Sequence, residues 1–258
     1  MKSSITNLGF IALLLGATWV AADVIQLTGV ADGTTKNFSI YMDPSQLMSG
    51  PQLVNATVYT GLYDATDVTT GQSWETFCID PIGDIKIGDS WASQLLTTTN
   101  LTGGTQGILS QPSYTQTNAV PINNTITAEK YAMIGYLADQ YYYNTDASFN
   151  AADRSDLSLA FWEISRDYTG SRASMNLNNG NFQSVNSLSD QNFIGNLLDA
   201  AFSHRDDNTY SLAVFSPTQR PSQEFLAFRV PEPALFCMLL TGLCALGGLG
   251  IARRRKVA

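Results

Sequence analysis

The chain is poor in basic residues, histidine and cysteine, and each scarcity excludes a class of function. Fourteen Lys and Arg residues stand against 22 Asp and Glu residues in 258, a formal net charge of −8. Nucleic-acid binding requires basic patches, so this balance argues against DNA or RNA as a partner. The single histidine, His204, gives a Cys-His or Ser-His catalytic pair no support. No phosphate loop, zinc cluster or nucleophile elbow is present.

Cysteine is equally scarce. Two of the three cysteines, Cys237 and Cys244, fall within an apolar run near the C-terminus, which leaves Cys78 alone in the rest of the chain. No internal disulfide is therefore expected in an exported part. Cys78 is a candidate reactive thiol or intermolecular partner, with a buried apolar role as the alternative.

The C-terminus carries three features in a fixed order. They are the motif Val230-Pro231-Glu232-Pro233, the uncharged apolar stretch Ala234–Ala252, and the basic cluster Arg253, Arg254, Arg255 and Lys256. As a helix the apolar stretch would cover roughly 28 Å, which matches the hydrocarbon thickness of a bilayer. Basic residues are costly to translocate, so the cluster is expected to stop in the cytoplasm while the bulk of the chain lies outside. An ordinary C-terminal membrane anchor is the alternative for this stretch.

The N-terminus predicts export. Lys2 precedes an apolar stretch over Phe10–Val20, which is followed by the small residues Ala21 and Ala22. This layout is typical of a cleaved secretory signal over residues 1–22, read by the Sec export machinery, with cleavage between Ala22 and Asp23. An uncleaved anchor is the alternative, but the apolar stretch is short for a membrane span.

The three-part C-terminus resembles the PEP-CTERM sorting signal of exported bacterial proteins. That resemblance implies recognition and cleavage by an exosortase, a membrane transpeptidase, after a transient stay in the inner membrane. It also implies a Gram-negative envelope and a biofilm or exopolysaccharide setting, with the product at the cell surface or outside the cell. Three segments follow: a signal peptide (1–22), one exported domain (23–229) and a sorting signal (230–258).

The pattern of the exported domain predicts an α+β fold, in which a β-rich body carries an insert of about three helices. Strands are predicted at Val24–Val30, Asn37–Tyr41, Leu53–Tyr63, Trp74–Ile79, Tyr210–Phe215 and Glu224–Val230. Asp32-Gly33 predicts a hairpin turn, and residues 97–125 predict a long surface loop. Helices are predicted from an N-cap at Thr127 to Tyr142, over Ser155–Asp167 with a stop at Gly170, and from Ser189.

Two short motifs of this domain resemble bacterial thioester-forming surface domains. They are Phe77-Cys78-Ile79-Asp80 on a predicted strand and Ser158-Leu159-Ala160-Phe161-Trp162 on a predicted helix. In that family a cysteine bonds to a glutamine four residues before the tryptophan, and the thioester acylates amines on a target. Here Ser158 stands at the glutamine position, and a hydroxyl has no acyl carbon to give. The implied role therefore reaches Cys78 alone; Gln72, Gln94 and Gln140 are amides outside the matching position.

Three functions follow from these residues. The preferred hypothesis is a surface or matrix protein that binds a cell-surface ligand or exopolysaccharide, without turnover, cofactor or metal. The second is a covalent adhesin that uses Cys78. The third is a secreted hydrolase using Asp80 and Asp84, since acid–base hydrolysis requires two carboxylates in a fixed geometry. Asp80, Asp84 and Asp89 also suggest calcium, but their spacing fits no standard loop and is ordinary turn chemistry.

Overall fold

The computed structural model describes residues 22–42, 52–81, 85–111, 123–143, 149–184, 188–218 and 223–229. The strands in these stretches are β1 (Asp23–Met42), β2 (Gln52–Asp67), β3 (Ser73–Cys78), β4 (Ser90–Thr97), β5 (Phe182–Ser184), β6 (Ala213–Pro217) and β7 (Phe225–Arg229). The helices are the single turn α1 (Thr98–Leu101), α2 (Asn124–Ala138), α3 (Ala151–Asp167) and α4 (Leu188–Ser203). This content confirms the α+β class, with one large antiparallel sheet and three longer helices between its strands.

The strands close on themselves. Hydrogen-bonded neighbours run from β1 through β2, β3, β7, β6 and β4 and return to β1, so six strands form a closed antiparallel ring. The first half of β1 pairs with β4, and its second half pairs with the short β5. Closure leaves these six strands without a free edge where they pair, which protects the sheet from edge-to-edge association.

The hairpin turn predicted at Asp32-Gly33 is wrong, because β1 continues through these residues. Gly33 lies opposite Gly61 of β2, and a Cβ atom on Gly33 would stand only 2.1 Å from the Thr60 carbonyl oxygen. Gly61 has a φ of 123°, a conformation that favours glycine. The glycine pair thus lets the strands approach and bend, with register shifts on either side of Val30.

Helix α3 is the central element of the helical layer. It contacts β1, β2 and β5 as well as α2 and α4, and every residue from Ser155 to Asp167 is buried. Asn150 caps its first turn, and Gly170, with a φ of 102°, follows its end. The predicted helix and its stop are confirmed, although the helix begins at Ala151, four residues before the predicted start.

The segment predicted as a loop over residues 97–125 contains regular structure. It holds α1 and a 3₁₀ turn at Ile108–Ser110, and Leu101, Ile108 and Leu109 are buried. The predicted N-cap at Thr127 is also wrong, because Asn123 accepts the backbone N–H of Thr125 and starts α2 four residues earlier. Strands β4 and β5 were not predicted; both pair with β1, and β4 also pairs with β6, contacts that join residues far apart in the chain.

Candidate functional site

The two motifs that resemble thioester domains meet in the core. Cys78 is the last residue of β3, and Trp162 lies on α3, 84 residues later. The indole Nε1 of Trp162 donates a hydrogen bond to the backbone carbonyl oxygen of Cys78 at 2.9 Å. Phe38 of β1 packs edge-on against the indole, with ring centroids 5.1 Å apart. The indole therefore fixes the end of β3 against α3 with both its polar and its apolar atoms.

The thiol of Cys78 is enclosed and internally bonded. It donates to the backbone carbonyl oxygen of Asp80 at 3.0 Å. Burial raises the pKa of this thiol well above its ordinary value, and the charge of the Asp80 carboxylate acts in the same direction. A cysteine reacts as its thiolate, so this environment holds Cys78 in its unreactive form at neutral pH.

Ser158 contacts the backbone of the β1–β2 hairpin. Its hydroxyl accepts the backbone N–H of Gly61 at 3.0 Å and donates to the carbonyl oxygen of Arg154 at 3.3 Å. One turn earlier, the Ser155 hydroxyl donates to the Thr60 carbonyl oxygen and accepts the Thr34 N–H. Small hydroxyl side chains thus hold α3 close to the hairpin and satisfy buried backbone groups there.

A cavity of about 370 Å³ opens beside Cys78 and Trp162. Its walls come from β1, β2 and the loop after β3, and they include Leu27, Val30, Phe38, Val58, Tyr59, Tyr63, Ile85, Lys86, Ile87 and Gln223. The volume lies in the range of small-molecule sites, and most of the lining is hydrocarbon. We call this space the Cys78 cavity.

A buried carboxyl lies deeper, on the side of Cys78 toward β7. Glu224 is fully enclosed and accepts the backbone N–H of Ile108 and the hydroxyl of Tyr131, each at 2.8 Å. Burial raises its pKa to about 7, although both hydrogen bonds oppose the shift. Its contacts join β7 to the 3₁₀ turn and to α2, which indicates a structural role.

The carboxylates proposed for hydrolysis or calcium binding do not form a site among the described residues. Asp80 is fully buried. Asp89 is exposed in a turn, where its Oδ2 accepts the backbone N–H of Lys86 at 2.9 Å. Asp84 lies outside the described residues. No group of three or more His, Cys, Asp and Glu side chains within the described stretches is arranged to hold a metal ion.

The predicted sorting residues lie outside the described part of the chain. These are Val230, Pro231, Glu232 and Pro233, the apolar stretch 234–252, and Arg253–Lys256, together with residues 1–21 of the signal peptide. Asp23, the predicted first residue after cleavage, begins β1 opposite Ser93 of β4. No helix in the described stretches has the length and apolar character that a membrane span demands.

The amides of the chain lie in different places relative to Cys78. Gln72 donates to the Ser73 carbonyl oxygen, Gln94 is exposed on β4, and Gln140 donates to Asp139. None of these three lines the Cys78 cavity, whereas Gln223 does. Sequence reasoning missed Gln223 because its place depends on the pairing of Cys78 with Phe225 across β3 and β7.

No protein family profile and no curated protein sequence matches this chain. Among solved structures, the N-terminal thioester domain of fibronectin-binding protein SfbI from Streptococcus pyogenes is similar. It is 11% identical, the match covers 78% of this chain and 95% of that domain, and the TM-score is 0.38. The likeness is weak in sequence and in structure.

Proposed function

We propose that this chain is an exported surface or extracellular-matrix protein that binds its ligand noncovalently in the Cys78 cavity. The observation that carries the proposal is the combination of an open, largely apolar cavity with an enclosed, internally bonded thiol at its wall. Such a site offers surface for binding, and its thiol is held in the unreactive form. Ser158, at the position of the family's acyl donor, is bonded to the hairpin backbone instead.

The proposed location rests on the two ends of the sequence. A secretory signal would send the chain through the Sec machinery, and the tail would hold it in the inner membrane until an exosortase cleaves near Pro231-Glu232-Pro233. Mass spectrometry of the released protein is then expected to show an N-terminus near Asp23 and a C-terminus near this motif. Recovery of all the exported protein with the 234–252 stretch attached would refute the processing.

A substitution in the motif tests whether the motif is required for cleavage and release. Replacing Glu232 by Ala within the motif is expected to leave the chain in the membrane fraction. The conservative exchange Leu240→Ile, inside the apolar stretch and outside the motif, is the control and is expected to release normally. Only Glu232→Ala alters the recognition motif, and both variants keep the apolar character of the stretch and the basic cluster.

One observation favours a covalent adhesin as the second candidate. Gln223 and Cys78 line the same cavity. Attack of the thiol sulfur on the Gln223 carboxamide carbon would form a thioester and release ammonia. The released protein would then be lighter than its processed sequence by one ammonia, and methylamine would remove the deficit by opening the bond. A full-mass protein that yields one free thiol on unfolding would support noncovalent binding.

A further inference from the structure

The exposed large apolar side chains of the described residues lie on β1 or on segments bonded to it. They are Val24, Val30, Val68 and Ile87. Val68 is joined to β1 by the bond from its N–H to the Val24 carbonyl oxygen, and the loop that holds Ile87 is joined by the bond from Gly88 N–H to Leu27. Val30 and Ile87, 39% and 55% exposed, line the cavity itself. Exposed apolar residues at the opening of a cavity are typical of an interaction site.

Three polar side chains of the cavity wall are bonded within the protein. The Tyr63 hydroxyl donates to the Tyr59 carbonyl oxygen at 2.6 Å, the Cys78 thiol donates to Asp80, and the Trp162 indole donates to Cys78. Most of the remaining wall is the hydrocarbon of Phe38, Val58 and their neighbours, with Tyr59, Gln223 and Lys86 as its other polar members. Such a wall favours a ligand with a hydrocarbon body over a sugar, whose many hydroxyl groups would lose water without gaining partners.

Lys86 supplies a positive charge at this apolar mouth. Among the basic residues whose side chains the structure describes, it alone is exposed, and it forms no ion pair there. By contrast, Lys36 is held by Asp156 and Asp190, and Lys130 donates to the Ser165 carbonyl oxygen. Arg154, Arg172 and Arg205 each pair with an aspartate. An unpaired cation on an acidic chain, beside an apolar cavity, is complementary to an anionic head group.

We infer that the Cys78 cavity binds a free fatty acid, with the hydrocarbon chain inside and the carboxylate at the Lys86 ammonium. This inference rests on the proposed binding function and names its ligand class. Lys86 lines the cavity between Ile85 and Ile87, and a lysine stem packs against apolar surface while its ammonium stays in water. Each methylene that enters the cavity contributes through burial, and the head group sets the orientation.

Titration calorimetry with the full chain in lipid nanodiscs tests the inference, with empty nanodiscs as the blank. The probes are hexanoate, octanoate, decanoate and dodecanoate, and the matching alcohols. Affinity is expected to rise about fourfold per methylene until the cavity is full. Each acid is expected to bind more tightly than its alcohol.

Substitutions at Lys86 and Val58 separate the contribution of the head group to binding from that of the cavity. Lys86→Gln is expected to weaken dodecanoate binding about threefold to tenfold and to leave dodecanol unchanged, while Lys86→Arg retains most of the affinity. Val58→Trp fills the cavity and is expected to abolish binding of both probes. Val68→Thr, on the apolar surface but outside the cavity lining, is the matched control and is expected to bind as the parent does.

The outcomes distinguish this inference from the proposed function. Equal affinity of acid and alcohol, unchanged in Lys86→Gln but lost in Val58→Trp, would overturn the fatty-acid assignment and leave binding at the cavity intact. Absence of saturable binding of any probe to the parent chain would also overturn the assignment. The proposed function fails separately, if an extract of the producing cell's surface and matrix contains nothing that binds the parent chain more tightly than the Val58→Trp protein.

Discussion

The hydroxyl of Ser158 on α3 accepts the backbone N–H of Gly61 on β2, at 3.0 Å, in the buried seam between the helix and the hairpin. This contact gives position 158 a structural task in place of the acyl-donor chemistry that the motif implies. Gly61 is followed in the chain by Leu62, and Leu62 pairs with Phe77, the residue before Cys78.

Ser158→Ala is expected to lower the free energy of unfolding by about 1–3 kcal/mol, because the buried N–H of Gly61 loses its acceptor. Chemical denaturation of the exported protein measures the change. Ser203→Ala is the control, since the Ser203 hydroxyl is exposed and donates only to a carbonyl of its own helix. Equal effects of the two substitutions would contradict the structural role of Ser158.

The buried cation Lys36 stabilises the chain only together with its carboxylates. Its Nζ lies 2.6 Å from Asp156 Oδ1 and 3.0 Å from Asp190 Oδ2, which joins β1 to α3 and α4. Lys36→Met is expected to lower the free energy of unfolding by about 3–5 kcal/mol at pH 8, because it leaves buried charge without a partner. The double variant Lys36→Met, Asp156→Leu is expected to regain most of this loss in the same denaturation assay.

The cost of Lys36→Met also depends on pH. Burial raises the pKa of Asp156 to about 6 even with Lys36 present, so without the lysine this carboxyl takes up a proton readily. The loss of stability is therefore expected to be smaller at pH 5 than at pH 8. An equal loss at both values would show that Lys36 contributes by packing alone.

The free energy of unfolding is expected to depend on pH because of Glu224. Burial raises its pKa from 4.5 to about 7, so the folded chain holds this proton more strongly than the unfolded chain does. The resulting stabilisation is complete below pH 4.5 and is lost as the pH rises through 7, by up to about 3 kcal/mol. Denaturation between pH 5 and 8 is expected to show a shallower slope in Glu224→Gln than in the parent.

Other buried acids also make the free energy of unfolding fall as the pH rises. The contribution of Glu224 is therefore the difference in slope between the parent and Glu224→Gln. Glu163 and Asp167 also have pKa values raised by burial. Asp199→Asn, at a carboxylate with two thirds of its side chain exposed, is the control and is expected to keep the parent slope. A parent slope that persists in Glu224→Gln would refute the assignment.

Two glycines in the left-handed region give a matched pair. Gly71 has a φ of 75° and open space around an added Cβ, whereas at Gly107, with a φ of 82°, that atom would lie 2.0 Å from the Tyr131 hydroxyl. Gly71→Ala is expected to lower the free energy of unfolding by about 1–2 kcal/mol through backbone strain alone. Gly107→Ala is expected to cost clearly more by displacing Tyr131 from Glu224, and thermal unfolding that ranks the two equally would refute this.

The long helices were predictable because their signals are local. Ser155–Asp167 combines apolar periodicity with a glycine stop, and the structure extends it only by its cap and first turn, from Asn150. The prediction of a turn at Asp32-Gly33 was wrong because it ignored the pairing of these residues with a distant strand. Asp32-Gly33 favours a hairpin turn, but a glycine also permits close approach of two paired strands. Gly33 pairs with Gly61, 28 residues away, and the chain therefore continues as a strand there.

The candidate site was predictable in part. The sequence identified Cys78, Ser158 and Trp162, and the structure brings the end of β3 and the helix together through the indole of Trp162. It did not identify Gln223, Lys86 or the apolar mouth, because these residues carry no motif. They meet only because the loop after β3 and the start of β7 both lie beside β1 and β2.

The amino-acid sequence alone determined the acidic balance, the scarcity of cysteine and histidine, and the order of helical and strand segments, because composition and periodicity are properties of neighbouring residues. Tertiary structure decided how these parts are used. It buried Cys78, the cysteine of the described stretches, and bonded Ser158 to the β2 backbone. Among those same stretches it placed Lys86 at an apolar opening with no ion pair. Each of these outcomes depends on contacts between residues far apart in the chain, which strand closure and helix packing alone create.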